Sequence, residues 1–175
     1  MSYEKMASFL SFENVLGHEA YLKDLRLRYS ILEKSLSFPL PKSLNDLLRE
    51  RIPREIYDEA LMLLSEISLH EVYFDSFSIE PASSNPVKAQ FGSREAFLYE
   101  LFSFAKDKKV GFLLIYLGAR GKIHFDIPSS ITEITRYKPI LAIDLYEHAY
   151  FSDYGFRRND YLRAALSNID LSKLQ

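Results

Sequence analysis

From about Gly17 to Leu36, positions suited to a buried stripe recur at three- and four-residue steps: His18, Tyr21, Leu22, Leu25, Tyr29, Leu32 and Leu36. Lys23, Arg26, Glu33 and Lys34 fall off that stripe, so the spacing predicts an amphipathic helix. Phe38-Pro39-Leu40-Pro41 ends it. A charged connector from Lys42 to Arg54 has room for a short helix, and a second long helix is expected from Pro53 to about Phe77. Its stripe, Ile56, Ala60, Leu63, Ile67, His70, Phe74 and Phe77, suits packing against the first helix as an antiparallel hairpin. Between Glu80 and Gly92 the composition shifts to Pro, Ser and Asn, as in a linker. Ser93 then reads as the cap of a helix that buries Phe97, Leu101, Phe102 and Ala105 and stops at Asp107-Lys108-Lys109. Val110 to Leu117 and Lys122 to Ile127 alternate as strands around a turn at Gly118 to Gly121, and Ile140 to Tyr146 supplies a third strand. A last helix covers roughly Arg158 to Ile169. The expected fold class is α+β: a long N-terminal antiparallel helical hairpin (residues 1–80), a linker (81–92), and an α/β domain (93–175) whose three-stranded antiparallel sheet is flanked by helices.

Composition narrows the function classes. With 22 basic and 24 acidic residues the net charge is −2, which argues against a nucleic-acid footprint or a membrane-surface patch. The longest apolar run, Val110 to Leu117, is far too short to span a bilayer, and the N-terminus lacks the order of a secretory signal, so a cytoplasmic protein is expected. There is no cysteine, so a metal would be held by nitrogen and oxygen, a set that admits iron, manganese or zinc. The four histidines, His18, His70, His124 and His148, make the search for ligands short.

The strand Pro139-Ile140-Leu141-Ala142-Ile143-Asp144 ends in a carboxylate, followed four residues later by His148. A buried Asp must be solvated, paired or given a metal. Taken by themselves, the residues also admit an Asp that caps the next turn and a His that faces solvent. His70 lies on an apolar helix face, where a histidine is more often a hydrogen-bonded core residue than a ligand.

The segment Asp144-Leu145-Tyr146-Glu147-His148-Ala149-Tyr150, continued by Asp153-Tyr154-Gly155-Phe156-Arg157-Arg158-Asn159-Asp160-Tyr161, resembles the C-terminal signature of the iron/manganese superoxide dismutases. Leu69-His70-Glu71-Val72-Tyr73-Phe74 resembles the family's second-helix motif, and Phe91-Gly92-Ser93 also matches. The likeness implies a two-domain fold and one iron or manganese ion per chain, held by His70, Asp144, His148 and a histidine of the first helix. It also implies a homodimer joined through the Glu147/His148 region, and superoxide as substrate. A gate tyrosine over the substrate channel would be Tyr29. Eight residues before it, where the family has its first ligand, stands Tyr21; the nearest histidine is His18, three residues earlier. Two readings of His18 stand side by side: a relocated ligand, or a capping or surface residue beside Gly17.

Further departures accompany this one. The family's tryptophan is Tyr146 here, and a hydrogen-bonded pair across the dimer is replaced by Leu25 and Phe151. The outer-sphere glutamine has Glu66 at one of its two positions, with His124 near the other; strand alternation puts His124 with Lys122 and Asp126 on a solvent-facing side. The resemblance therefore implies a superoxide dismutase-like oxidoreductase. The alternative is a family member that has lost the activity and serves as a non-catalytic scaffold or binding protein. A third reading is other iron-dependent oxygen chemistry at a centre of His70, Asp144 and His148.

Overall fold

The structure is a computed structural model and describes residues 2–108 and 110–175. In chain order the helices before the sheet are α1 (Ser2–Met6), α2 (Phe12–Lys34), α3 (Leu44–Leu47), α4 (Arg54–Asp75), α5 (Asn85–Phe91) and α6 (Arg94–Ala105). The strands are β1 (Phe112–Leu117), β2 (Ile123–Asp126) and β3 (Pro139–Asp144), followed by α7 (Phe151–Tyr154) and α8 (Arg158–Asn168). Short 3-10 turns cover Ile131–Arg136 and Glu147–Ala149. The α+β class and the three-stranded antiparallel sheet agree with expectation. Of the expected helix stop at Asp107-Lys108-Lys109, Lys109 lies outside the described residues, as does Met1 of the N-terminal segment.

The first long helix begins five residues before Gly17. Ser11 is its cap, accepting the Asn14 N–H at 3.2 Å, and the Ser11 N–H donates to Asp153 Oδ2 at 2.8 Å. A cap of this kind stabilises a helix by about 1 kcal/mol. His18 is therefore an interior helical residue, and it is buried. His18 lies beside Tyr73 and Phe74 of α4, while Tyr21, one turn on, reaches His70 and Glu66, so α2 and α4 run in opposite directions.

The stretch expected as a linker (residues 81–92) contains α5. Its Ser and Pro residues are helix-start signals: Ser84 caps the Val87 N–H, and Pro86 sits in the first turn. Gln90 donates to the Ile123 carbonyl and accepts its N–H, both at 2.8 Å, which ties α5 to β2.

β1 is the middle strand, in the order β2-β1-β3. Leu113, Leu114 and Ile115 are buried there, as are Leu141, Ala142 and Ile143 of β3. The register sets Phe112 opposite Asp144 and shifts between Ile115 and Tyr116, where Tyr116 faces Pro139. The β3 edge of the sheet abuts α4: buried Ser76, at the C-terminus of α4, donates to the Val72 carbonyl and accepts the Ala142 N–H, both at 2.7 Å.

Candidate metal centre

Four side chains from four places in the chain converge: His18 from α2, His70 from α4, Asp144 at the end of β3, and His148 in the turn that follows. Their ligand-type atoms all lie within 4.8 Å of one another. Asp144 Oδ2 is 3.0 Å from His148 Nε2, 3.3 Å from His18 Nε2 and 3.6 Å from His70 Nε2, and the last lies 3.4 Å from His148 Nε2. One carboxylate oxygen thus faces three imidazole nitrogens. Two ligand atoms each about 2.1 Å from one ion lie roughly 3.0 to 3.6 Å apart for angles of about 90° to 120°, so these spacings suit a shared cation.

The groups behind the donors fix which atoms face inward. His70 Nδ1 is 2.7 Å from the Glu66 carbonyl, which only accepts, so that nitrogen carries the proton and the Nε2 lone pair points into the group. Asp144 Oδ1 accepts the Tyr146 N–H at 2.8 Å, leaving Oδ2 for the centre, and Tyr161 donates to the Asp144 carbonyl at 2.8 Å. His18 is the telling member: it is buried, and among the described residues neither of its ring nitrogens has a hydrogen-bond partner. A polar group left so costs about 1 to 3 kcal/mol, a cost that a cation bound at His18 Nε2 would offset.

The electrostatics agree. Burial pushes His70 down to about 4, so it is neutral near pH 7 and available as a donor. Burial alone would raise the Asp144 carboxyl, but His148 and His18 beside it outweigh that effect and hold it below the usual carboxylate range. Burial alone would lower His148; its hydrogen bond to Asp144 reverses the sign and raises it. A metal arriving here would displace the proton shared by that pair.

One side of the group opens into a cavity of about 220 Å³ lined by Tyr21, Glu66, Phe112, Ser129, Ser130 and Tyr146, along with His70 and His148. Tyr21 donates to Glu66 Oε2 at 2.7 Å, its ring 5.0 Å from that of His148, and burial followed by the Glu66 hydrogen bond pushes its hydroxyl well up. Tyr146 stacks on His148 at 5.9 Å, and Phe112 meets His70 edge-on at 5.3 Å.

Of the residues expected at the site, His18, His70, Asp144 and His148 are brought together. Tyr29 is not among them: it lies eleven residues, roughly 16 Å, along α2 from His18, buried, with its hydroxyl on the Pro41 carbonyl at 2.5 Å. Tyr21 is the tyrosine at the mouth. His124 stays with its strand, half-buried, stacked 5.7 Å from Tyr116 and over Gly118, where a Cβ would stand 2.6 Å from the imidazole. The Tyr21 and Glu66 pairing was legible in principle, since each lies about one turn from a histidine on the same helix face. Phe112 carried no signal beyond its place in an apolar strand.

Comparison with known proteins accords with this geometry. The family model for iron/manganese superoxide dismutases, C-terminal domain, matches residues 80–175. An iron superoxide dismutase of Cupriavidus metallidurans is 33% identical over 119 residues, covering 63% of this chain and 60% of that protein. One from Bacteroides fragilis is 33% identical over 112 residues, 58% of each chain. A manganese superoxide dismutase of Acinetobacter baylyi is 29% identical over 101 residues, 54% of this chain and 44% of its own length. The chain thus spans about half the length of these curated relatives. With more than half of its residues matched by the family model, and a His/Asp cluster at the end of its third strand, the chain belongs to the iron/manganese superoxide dismutase family.

Proposed function

We propose that this chain dismutes superoxide at a single iron or manganese ion held by His18, His70, Asp144 and His148. The observation that carries the reading is buried His18, with no hydrogen-bond partner among the described residues and its Nε2 3.3 Å from Asp144 Oδ2. When bound, the ion supplies one-electron exchange: one superoxide gives up an electron and leaves as dioxygen, and a second receives it with two protons and leaves as hydrogen peroxide. The chain's residues do the rest. Neutral imidazoles and one carboxylate leave a divalent ion with net charge +1, favourable to an anionic substrate. Phe112 and Tyr146 wall the cavity against bulk water, while Ser129 and Ser130 at its rim leave a way in for a small anion. Tyr21 Oη holds a proton against Glu66 Oε2 beside the two histidines, in position to pass it inward.

His148 is the least covered ligand, its side chain 39% exposed beside exposed Glu147. A homodimer meeting through this region would close the site. The non-catalytic alternative rests on three departures, the displaced first histidine, Tyr146 in place of the tryptophan and the changed outer sphere at Glu66; His18 beside the other three side chains weighs against the first of them.

Elemental analysis of protein purified without a metal-binding tag, with dismutation measured on the same sample, tests the reading. Near one iron or manganese per chain is expected, with activity lost and metal depleted in His18→Ala. A chain that takes up neither metal and shows no activity would sink it.

A further inference from the structure

The cavity beside the centre is larger than a diatomic anion needs. Its volume is about 220 Å³, about seven times the roughly 30 Å³ that one water molecule takes up in the liquid. Its walls are largely aromatic. The Tyr146 ring lies within 7° of parallel to that of His148, and Phe112 meets Tyr146 at 5.8 Å and His70 at 5.3 Å, both edge-on. Tyr21 stands 5.0 Å from His148 and 5.3 Å from His70, and Ile131 adds an aliphatic surface. Phe112 is itself buried, the Tyr146 N–H is held by Asp144 Oδ1 and the Tyr21 hydroxyl by Glu66, so these walls are fixed before any ligand arrives.

Polar atoms on the lining are left over. Glu66 Oε2 takes the Tyr21 hydroxyl, while Glu66 Oε1 accepts no hydrogen bond from the described residues. The Tyr146 hydroxyl has no partner among them either, and burial raises its pKa, with Asp144 and Glu66 adding to it, so it keeps its proton near neutral pH. At the exposed rim the hydroxyls are already engaged, that of Ser129 with Glu133 and that of Ser130 with Thr132. Flat apolar walls with an unengaged carboxylate oxygen and an unengaged hydroxyl suit a flat apolar ring that brings its own hydrogen-bond donor.

We propose that this cavity binds a small neutral phenol, its ring among Phe112, Tyr146 and Tyr21 and its hydroxyl donating to Glu66 Oε1 while accepting from Tyr146 Oη. The site goes beyond the dismutation proposed above, and it is made by the cavity wall and not by the ion.

Isothermal calorimetry with phenol on the manganese-loaded chain, with metal content measured on the same sample, tests the assignment. For a ligand of about seven non-hydrogen atoms a dissociation constant of about 1 mM is expected. Anisole, which keeps the ring and loses the donor, should bind about tenfold weaker or worse, since it leaves the carboxylate oxygen unpaired. Glu66→Gln and Tyr146→Phe, both close in shape to the residues they replace, should each weaken phenol binding about fivefold, the first by exchanging a charged acceptor for a neutral one and the second by removing one hydrogen bond. The metal-stripped chain should keep the preference for phenol over anisole. A chain that takes up no manganese yet binds phenol with that preference sinks the dismutase reading alone. The pocket is overturned if the metal-loaded chain binds no phenol, if anisole binds as well as phenol, if neither substitution weakens binding, or if stripping the metal abolishes it, which would make the ion the group that holds the phenol.

Discussion

Two tyrosines on one helix divide the work by where their hydroxyls go. Tyr21 points its hydroxyl at Glu66 in the cavity, whereas Tyr29 spends its own on the Pro41 carbonyl and fastens the connector after α2. Tyr21→Phe should lower the dismutation rate while leaving metal content intact, because it removes a proton donor and no ligand. Tyr29→Phe should leave both unchanged and cost about 1 kcal/mol in denaturant unfolding. The pH dependence has a definite sign. Burial, with Glu33 adding to it, pushes the Tyr29 hydroxyl from its ordinary 10 up to about 12. The folded chain therefore holds that proton more tightly than the unfolded one, and the stabilisation is whole below pH 10 and fades as pH rises toward 12. The stability gap between wild type and Tyr29→Phe should follow that course. An activity loss in Tyr29→Phe exceeding that in Tyr21→Phe would show the division to be drawn the wrong way.

At the scale of elements, what the sequence concealed was where helices begin. Gly17 looks like a boundary because glycine weakens helix interiors, yet α2 runs through it from Phe12, and a Cβ at Gly17 would meet nothing within 4 Å. Gly17→Ala should therefore raise stability by about 0.5–1 kcal/mol, seen as a higher denaturant midpoint with unchanged metal content; a lower midpoint would place Gly17 outside a regular helix. The Ser84-Asn85-Pro86 stretch hid the start of α5 in the same manner, since caps and first-turn prolines share their composition with linkers. Gln90→Ala removes both side-chain hydrogen bonds to the Ile123 backbone and should cost about 1–3 kcal/mol. No measurable change would mean that α5 is only loosely attached. By contrast α4, α6 and the strands were legible, because their apolar periods are backed by burial against one face. The Asp144 and His148 pair was legible through its resemblance to the family's C-terminal signature, since the two residues alone also admitted a capping Asp and a solvent-facing His. Whether His18 belonged with them could not be read from spacing, since the answer depended on the start of α2.

At the scale of the molecule, the centre is held by parts that the chain keeps far apart. The side chains proposed to hold the ion run from His18 to His148, and the frame behind them is continuous. Tyr73 of α4 meets Tyr161 of α8 at 3.2 Å, Tyr161 holds the Asp144 carbonyl, and Asn14 of α2 donates to Ser152 of α7 at 2.7 Å. A cation bound there joins the hairpin to the sheet, and the unfolded chain has no equivalent site, so binding free energy becomes folding free energy. At a free metal concentration one hundred times the dissociation constant the gain is about 2.7 kcal/mol. For a chain of this size that corresponds to a rise of roughly 5–10 °C in melting temperature. Metal-stripped protein titrated with iron(II) under anaerobic conditions, or with manganese(II), should show that rise in scanning calorimetry. His18→Ala and Asp144→Asn should each lose most of it, whatever their own melting temperatures without metal. Glu66→Gln, which leaves all four ligands in place, should keep the rise while changing turnover, and so separates the holding of the ion from its use. A melting temperature that neither metal moves would mean that the four side chains do not bind the ion tightly in the folded chain.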